Sequence, residues 1–138
     1  MKTNKILLGG LAGGVTLFLL GWMIYGILLM DYTTANTNQC MNRPNGEMIW
    51  WALILSNIAL GFFLSFAFTW SNTTEIMACA KISAIIGLLL SLSINLGYYS
   101  MTNMYSNPSA IVVDIIAYIV YLAITGVVVG WVMGKVKK

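Results

Sequence analysis

Four long apolar stretches occupy most of this chain, and they constrain its fold more than any motif does. Each contains about 17 to 25 mainly apolar residues, enough at about 1.5 Å per helical residue to cross the hydrocarbon core of a bilayer. The stretches are residues 6–30, 48–70, 78–100 and 111–133. Hydrophobic residues make up 59% of the sequence and charged residues 8%, which leaves too little polar surface for a soluble globule. The sequence therefore predicts one all-α domain over residues 1–138, an integral membrane four-helix bundle.

The first stretch has an alternative interpretation as a cleaved signal peptide, because Lys2 and Lys5 precede it. Its apolar run is longer than the roughly 7 to 15 residues of a signal peptide, and it ends at Asp31 without a small-x-small cleavage site. We therefore expect a retained membrane helix. An uncleaved anchor and a poor signal peptide look alike in sequence.

The distribution of basic residues predicts the orientation of the chain. Arg43 alone lies on one side of the predicted spans, and six lysines lie on the other. These are Lys2, Lys5, Lys81, Lys135, Lys137 and Lys138. Because basic loops are retained in the cytoplasm, we expect the N-terminus and the C-terminus to be cytoplasmic in every copy.

Small residues recur four positions apart on every predicted helix, a spacing that lets helix backbones approach closely in membranes. The glycines predicted to pack helices are Gly9, Gly13, Gly61, Gly87, Gly126, Gly130 and Gly134. Gly126 and Gly130 lie about 120° to 160° around the last helix from Asp114. We expect these two faces to meet different neighbours, with the bundle on one side and a second protomer or partner as a candidate for the other.

Asp114 is the one acid clearly embedded in an apolar stretch. An ionised carboxylate within hydrocarbon costs several kcal/mol unless it is paired, hydrated or protonated. Because Asp114 lies only about 6 to 9 Å from the start of its helix, the plainer interpretation is an acid near a helix N-terminus that water reaches from outside. The alternative is a proton or cation site.

Other polar side chains are embedded near Asp114 in predicted depth. Tyr118 and Tyr121 share its helix face, Asn95 should lie at a similar depth, and Asn57 should lie closer to the midplane. The plainer interpretation of the two amides is hydrogen bonding between helices. The alternative is a polar pocket formed by Asp114, Asn95, Asn57, Tyr118 and Tyr121, with Trp22 and Tyr25 nearby.

The sequence lacks the residues that several kinds of chemistry require. It has no His, and its two cysteines, Cys40 and Cys79, are predicted to lie a membrane thickness apart. It has no Gly-rich phosphate loop and no pair of carboxylates on one helix face. Haem, thiol redox, metal and nucleotide chemistry therefore lack their ligands. We expect no enzyme activity, no cofactor, no metal site and no nucleic-acid binding.

The segment Gly21-Trp22-Met23-Ile24-Tyr25-Gly26-Ile27-Leu28, followed by an outer loop, resembles small four-helix bacterial membrane proteins of a domain-of-unknown-function family. Their first helix carries a Gly, an aromatic pair and a second Gly or Pro. In this chain the aromatic pair is split and the Pro is missing. The resemblance covers the first helix and the overall length. It implies a multi-pass protein of the bacterial inner (plasma) membrane and no particular activity.

Two functions remain open at this point. The first is a non-enzymatic accessory or scaffold subunit of a membrane complex, or a homo-oligomer, whose partners are membrane lipids and other membrane subunits or a second copy. The fourth helix is the predicted interface. The alternative is a small channel or transporter for an ion or small solute that uses the pocket around Asp114. Small multidrug transporters fit poorly, because their first helix carries a Glu and this one has no acid before Asp31.

Overall fold

The four predicted spans are confirmed as helices. A computed structural model describes residues 2–136, which contain α-helices and no strand. The helices are α1 (Lys2–Met23), α2 (Met30–Asn36), α3 (Trp50–Trp70), α4 (Ile76–Met101) and α5 (Ser109–Lys135). All but α2 are long and apolar enough to cross a membrane, so the chain is a multi-pass membrane protein. The predicted tail residues Lys137 and Lys138 lie outside the described residues.

The long segment between the first two spans contains more structure than the predicted loop at 31–47. A π-helical turn, Ile24–Leu28, continues α1, and α2 follows it directly. Thr34 and Thr37 donate side-chain hydrogen bonds to the carbonyls of Met30 and Thr33, four residues earlier. These bonds run along the helix, so the threonines do not break it. Two 3-10 turns, Gln39–Met41 and Asn45–Glu47, complete the connection to α3.

The main contacts place the four spans in the order α3, α1, α5, α4, and α3 also makes a smaller contact with α5. α1 packs against α3 on one side and α5 on the other, and α4 packs extensively against α5. α3 and α4 are consecutive in sequence but lie at opposite ends of this order. No more than 28% of the apolar window of any span is buried within the chain, so most of each helix surface is available to lipid.

The bundle has two different ends. The long-loop end carries residues 29–49 and the connection 102–108. The short-link end carries the link 71–75, the start of α1 and the end of α5. Between the two, the core contains Leu17, Leu64, Leu122 and Val129, each fully buried. This core fills the middle of the bundle and its short-link half.

Glycine contact holds α1 against α3. A Cβ atom added to Gly61 would overlap the Gly10 carbonyl oxygen and the Gly14 amide nitrogen, and it would lie 2.9 Å from the Gly13 carbonyl carbon. A Cβ atom on Gly9 would lie 2.7 Å from the Ser65 hydroxyl oxygen. Because the atoms around Gly61 belong to the backbone, no side chain there can move aside, and the two helices cross in direct backbone contact.

Glycines also line the contact between α4 and α5. Gly126 lies against Ser83, and a Cβ atom on Gly130 would lie 2.7 Å from the Cys79 sulfur. A Cβ atom on Gly87 would lie 3.0 Å from the Tyr118 carbonyl oxygen. Gly126 and Gly130 therefore meet α4 of the same chain.

Gly134 departs from the predicted close packing. It is exposed, and a Cβ atom added to it would approach Thr74 no nearer than 3.8 Å. At Gly134, α5 lies beside the link 71–75 and extends past the first residue of α4. A residue larger than glycine would therefore fit there.

Candidate functional site

An open cavity of about 1280 Å³ lies at the long-loop end of the bundle. Its walls come from α1 with the π-helical turn, α2, α3, α5 and the two long-loop connections. The deepest lining residues are Leu17 on α1, Asn57 on α3 and Tyr121 on α5. Beyond them the buried core begins with Leu64 and Val129, so the cavity ends inside the bundle.

Asp114 lines this cavity from the second turn of α5 and is half-buried. Its Oδ2 atom accepts a hydrogen bond of 2.7 Å from the Asn95 amide nitrogen of α4. Asn95 is 2% exposed, and its Oδ1 atom accepts a hydrogen bond from the Tyr105 hydroxyl. The same amide nitrogen donates to the Ser91 carbonyl at 2.8 Å. Every hydrogen-bonding atom of the Asn95 side chain is therefore used, which fixes the carboxylate that it holds.

A second polar group joins three helices at the floor of the cavity. The Tyr121 hydroxyl of α5 donates to the Leu17 carbonyl of α1 at 3.0 Å, and Asn57 Oδ1 of α3 lies at the same distance. The Asn57 amide nitrogen donates to the Leu53 carbonyl of its own helix at 2.8 Å. These bonds tie α1, α3 and α5 together where the cavity meets the core.

The π-helical turn places Tyr25 between these two groups. The Leu29 amide bonds to the Ile24 carbonyl at 2.8 Å, five residues earlier, so this turn holds one residue more than an α-helical turn. The Tyr25 ring meets the Tyr121 ring edge-on, with centroids 6.5 Å apart. Its hydroxyl is buried and lies near the Asp114 carboxylate without a hydrogen bond of regular geometry. Asp114 is therefore the polar group with which this buried hydroxyl can pair.

The two long-loop connections are joined to each other beside the cavity. The Asn38 amide donates to the Met104 carbonyl at 2.7 Å, and the Ser106 amide donates to the Asn36 carbonyl at 3.1 Å. This pairing holds Tyr105 against α4. Burial, the Asp114 carboxylate and Tyr98 all raise the pKa of the Tyr105 phenol.

The predicted pocket residues occupy three kinds of position. Asp114, Asn57 and Tyr121 line the cavity. Asn95 lies behind Asp114, outside the cavity wall, and supports it. Tyr118 packs its ring on Tyr121 at 5.4 Å and also lies outside the wall.

Sequence reasoning missed the role of Tyr105 and of the Leu17 carbonyl. Tyr105 lies outside the four predicted spans and was not among the predicted pocket residues. Its position just after the third predicted span, which became α4, was the available signal, but only the folded connection shows that it reaches Asn95. Every residue has a backbone carbonyl, so the sequence does not indicate that the Leu17 carbonyl accepts a hydrogen bond from Tyr121.

No protein-family model, curated protein or solved structure matches this chain. The resemblance of segment 21–28 to small bacterial membrane proteins therefore stays a prediction.

The charge of the cavity is concentrated at Asp114. Asn95 donates the hydrogen bond of regular geometry that Asp114 accepts, the Tyr25 hydroxyl lies near the carboxylate, and no described basic residue forms an ion pair with it. The only basic residue among the described lining residues is Arg43, which is exposed in the loop before α3. An ionised carboxylate with one hydrogen bond and no basic partner attracts a cation, a proton or water. The carboxylate at the cavity wall is therefore suited to binding a cation, a proton or water.

Proposed function

We propose that this protein binds a small solute in the cavity at the long-loop end and carries it across the membrane without chemical change. The observation that supports this proposal is the unpaired Asp114 carboxylate, held by Asn95 at the wall of a cavity that opens at one end of the bundle. Ionisable groups embedded in membrane proteins are expensive and commonly mark solute or ion pathways.

The closed floor of the cavity favours a transporter over an open channel. Leu64 and Val129 are fully buried beyond the floor, and Gly13 meets Gly61 in backbone contact. A solute in the cavity therefore has no continuous path through this conformation. Passage would require the helices to change their packing, as in alternating access.

Flux into proteoliposomes tests this proposal. The purified protein is reconstituted and offered a panel of sodium, potassium, protons, amino acids and short amines, with protein-free liposomes as the reference. We expect one class to enter faster than into the reference, and Asp114→Asn to return that rate to the reference. The matched control is Asp31→Asn, an exposed acid at the same end that does not line the cavity. Flux unchanged by Asp114→Asn, or no flux of any member, would contradict the proposal.

A second candidate is an accessory or scaffold subunit, or a homo-oligomer. It is favoured by a small-residue face on α4 that no described residue covers. Nothing lies within 4 Å of a Cβ atom added to Gly97, and Ser93 and Ser100 beside it are exposed. Small residues of this kind permit close contact between membrane helices. The test is the native mass in mild detergent: association that Gly97→Leu abolishes supports this candidate, and an unaltered monomer excludes it.

We further propose that the membrane is a bacterial plasma membrane with the short-link end in the cytoplasm. The support is the segregation of Lys5, Lys81 and Lys135 to the short-link end, with Arg43 at the long-loop end. The cavity would then open towards the outside of the cell.

A further inference from the structure

We infer that the solute carries a primary ammonium group on a small aromatic or aliphatic body, with Asp114 as its counter-ion. This inference rests on the proposed solute-binding function and names the class of solute. Three features of the cavity carry it: its charge, its unused hydrogen-bonding atoms and its aromatic walls.

The charge of the cavity favours a cation. Asp114 lies on α5, four residues from the cavity-lining Ala110, and it has one hydrogen-bond donor, Asn95. Arg43, the basic residue of the wall, is exposed to solvent and forms no ion pair with it. The attraction between opposite charges is stronger where water is scarce. A cation bound at Asp114 therefore has a more favourable electrostatic interaction energy than a cation bound at an exposed acid.

The unused hydrogen-bonding atoms favour a primary ammonium over a quaternary one. Asn95 donates to Asp114 Oδ2, and the buried Tyr25 hydroxyl lies near the carboxylate without a hydrogen bond of regular geometry. A primary ammonium has three N–H donors. It can donate to the carboxylate and to the Tyr25 oxygen together, whereas a trimethylammonium has no N–H group and can donate to neither.

The aromatic walls favour an organic cation over a metal ion. Phe18, Trp22, Tyr25, Trp50 and Tyr121 line the cavity. Aromatic faces attract organic cations and also bury an apolar body. Hard metal ions prefer about six or more oxygen ligands. The groups beside Asp114 supply far fewer.

The same ammonium chemistry has two sources, a free amine or the headgroup of an ethanolamine phospholipid. A free amine enters from water, whereas the headgroup enters from the bilayer surface. Measuring in a detergent without ammonium groups, dodecyl maltoside, and then adding phosphatidylethanolamine distinguishes them. Phosphatidylethanolamine that displaces the amine only when Asp114 is present identifies the lipid as the occupant.

The experiment is a calorimetric titration of the whole protein with three probes of similar shape: phenylethylammonium, its N,N,N-trimethyl analogue and phenylethanol. We expect phenylethylammonium to bind at least about tenfold more tightly than either of the others. Asp114→Asn should remove this preference, and Asp31→Asn should retain it. Asp114→Glu keeps the charge and should retain part of this preference. It therefore distinguishes loss of the charge in Asp114→Asn from loss of the fold.

Two neutral substitutions test the walls. Tyr25→Phe should weaken phenylethylammonium and leave phenylethanol unchanged, whereas Tyr99→Phe, at an exposed tyrosine of α4, should alter neither. Trp50→Leu should weaken the binding of phenylethylammonium and of phenylethanol alike. Trp51→Leu should not, because Trp51 is the next residue but lies outside the cavity wall.

The outcomes separate the two proposals. If phenylethanol binds as tightly as phenylethylammonium, or if the preference survives Asp114→Asn, the cavity binds a solute but the ammonium inference is overturned. If no probe binds while an Asp114-dependent flux of another solute is observed, the inference also fails and the proposed function stands. If neither binding nor flux is found, both fail.

Discussion

Asn95 of α4 donates a hydrogen bond of 2.7 Å to the Asp114 carboxylate of α5. The pair joins two helices that also meet through glycines, the buried Ser83 and apolar side chains. Asn95 is 2% exposed, whereas Asp114 is half-buried at the wall of the cavity. Asn95 therefore acts as the buried support, and Asp114 is the member of the pair that lines the cavity.

Asn95→Leu should destabilise the bundle. It removes the hydrogen bonds to Asp114, Tyr105 and the Ser91 carbonyl, and it leaves the carboxylate without its donor. Interhelical hydrogen bonds in membranes contribute about 0.6 kcal/mol on average and about 1.7 kcal/mol at most, so we expect a loss of about 1 to 3 kcal/mol for the set. Thermal unfolding in detergent measures it. Asn103→Leu, at an exposed loop amide, should have little effect. Equal melting temperatures for the wild type and Asn95→Leu would contradict the assigned role.

Gly61→Ala should loosen the contact between α1 and α3. The added methyl would overlap the backbone of Gly10 and Gly14, and we expect a loss of about 1 to 3 kcal/mol. The matched control is Gly97→Ala, where nothing lies within 4 Å of the new methyl. Since Ala is a better helix former than Gly by about 1 kcal/mol, this control should be neutral or stabilising. The melting temperatures of both variants and of the wild type are compared in the same detergent. A Gly61→Ala protein as stable as the wild type would show that the helices do not cross at Gly61.

Much of the architecture could be predicted from the sequence because lipid imposes a simple rule. A helix that crosses a membrane needs a long apolar run, and residues 48–70 and 111–133 met that rule and became α3 and α5 with shifts of no more than two residues. The segment 31–47 follows no such rule. The Thr34 and Thr37 hydroxyls donate to backbone carbonyls of α2, and the residue types of this segment did not predict a helix there.

The candidate site was harder to predict because it depends on helix order and rotation. Depth along each helix can be counted, and counting placed Asn95 level with Asp114. Counting cannot tell that α5 lies between α1 and α4, which decides that Tyr121 reaches Leu17 and that Asn95 reaches Asp114. The π-helical turn that positions Tyr25 also has no sequence signal in this chain.

The stability of the bundle should fall in alkaline solution partly through Tyr105. Burial, Asp114 and Tyr98 raise the pKa of this phenol in the folded state, whereas an unfolded tyrosine loses its proton near pH 10. The folded state therefore binds more protons above about pH 10, and its stability falls as pH rises. The contribution is fully present below about pH 10 and is lost as pH rises through the raised pKa.

Tyr105→Phe tests this linkage. The variant should be less stable at neutral pH, because Asn95 loses a hydrogen bond, but its stability should fall less steeply between about pH 9 and pH 11. Thermal unfolding in detergent over this range measures the slope. Tyr99→Phe, at an exposed tyrosine of α4, should keep the wild-type slope. A Tyr105→Phe protein with the wild-type slope would show that Tyr105 does not contribute.

Cysteine labelling should reveal the orientation predicted from the lysine bias. Cys40 is exposed at the long-loop end, and Cys79 is fully buried at the short-link end of α4. A membrane-impermeant maleimide added to intact cells should therefore label the wild type at Cys40, and Cys40→Ala should stay unlabelled. In the Cys40→Ala background, Glu75→Cys places an exposed thiol in the short link and should react only after the membrane is permeabilised. Labelling of Glu75→Cys but not Cys40 in intact cells would reverse the orientation and turn the mouth of the cavity towards the cytoplasm.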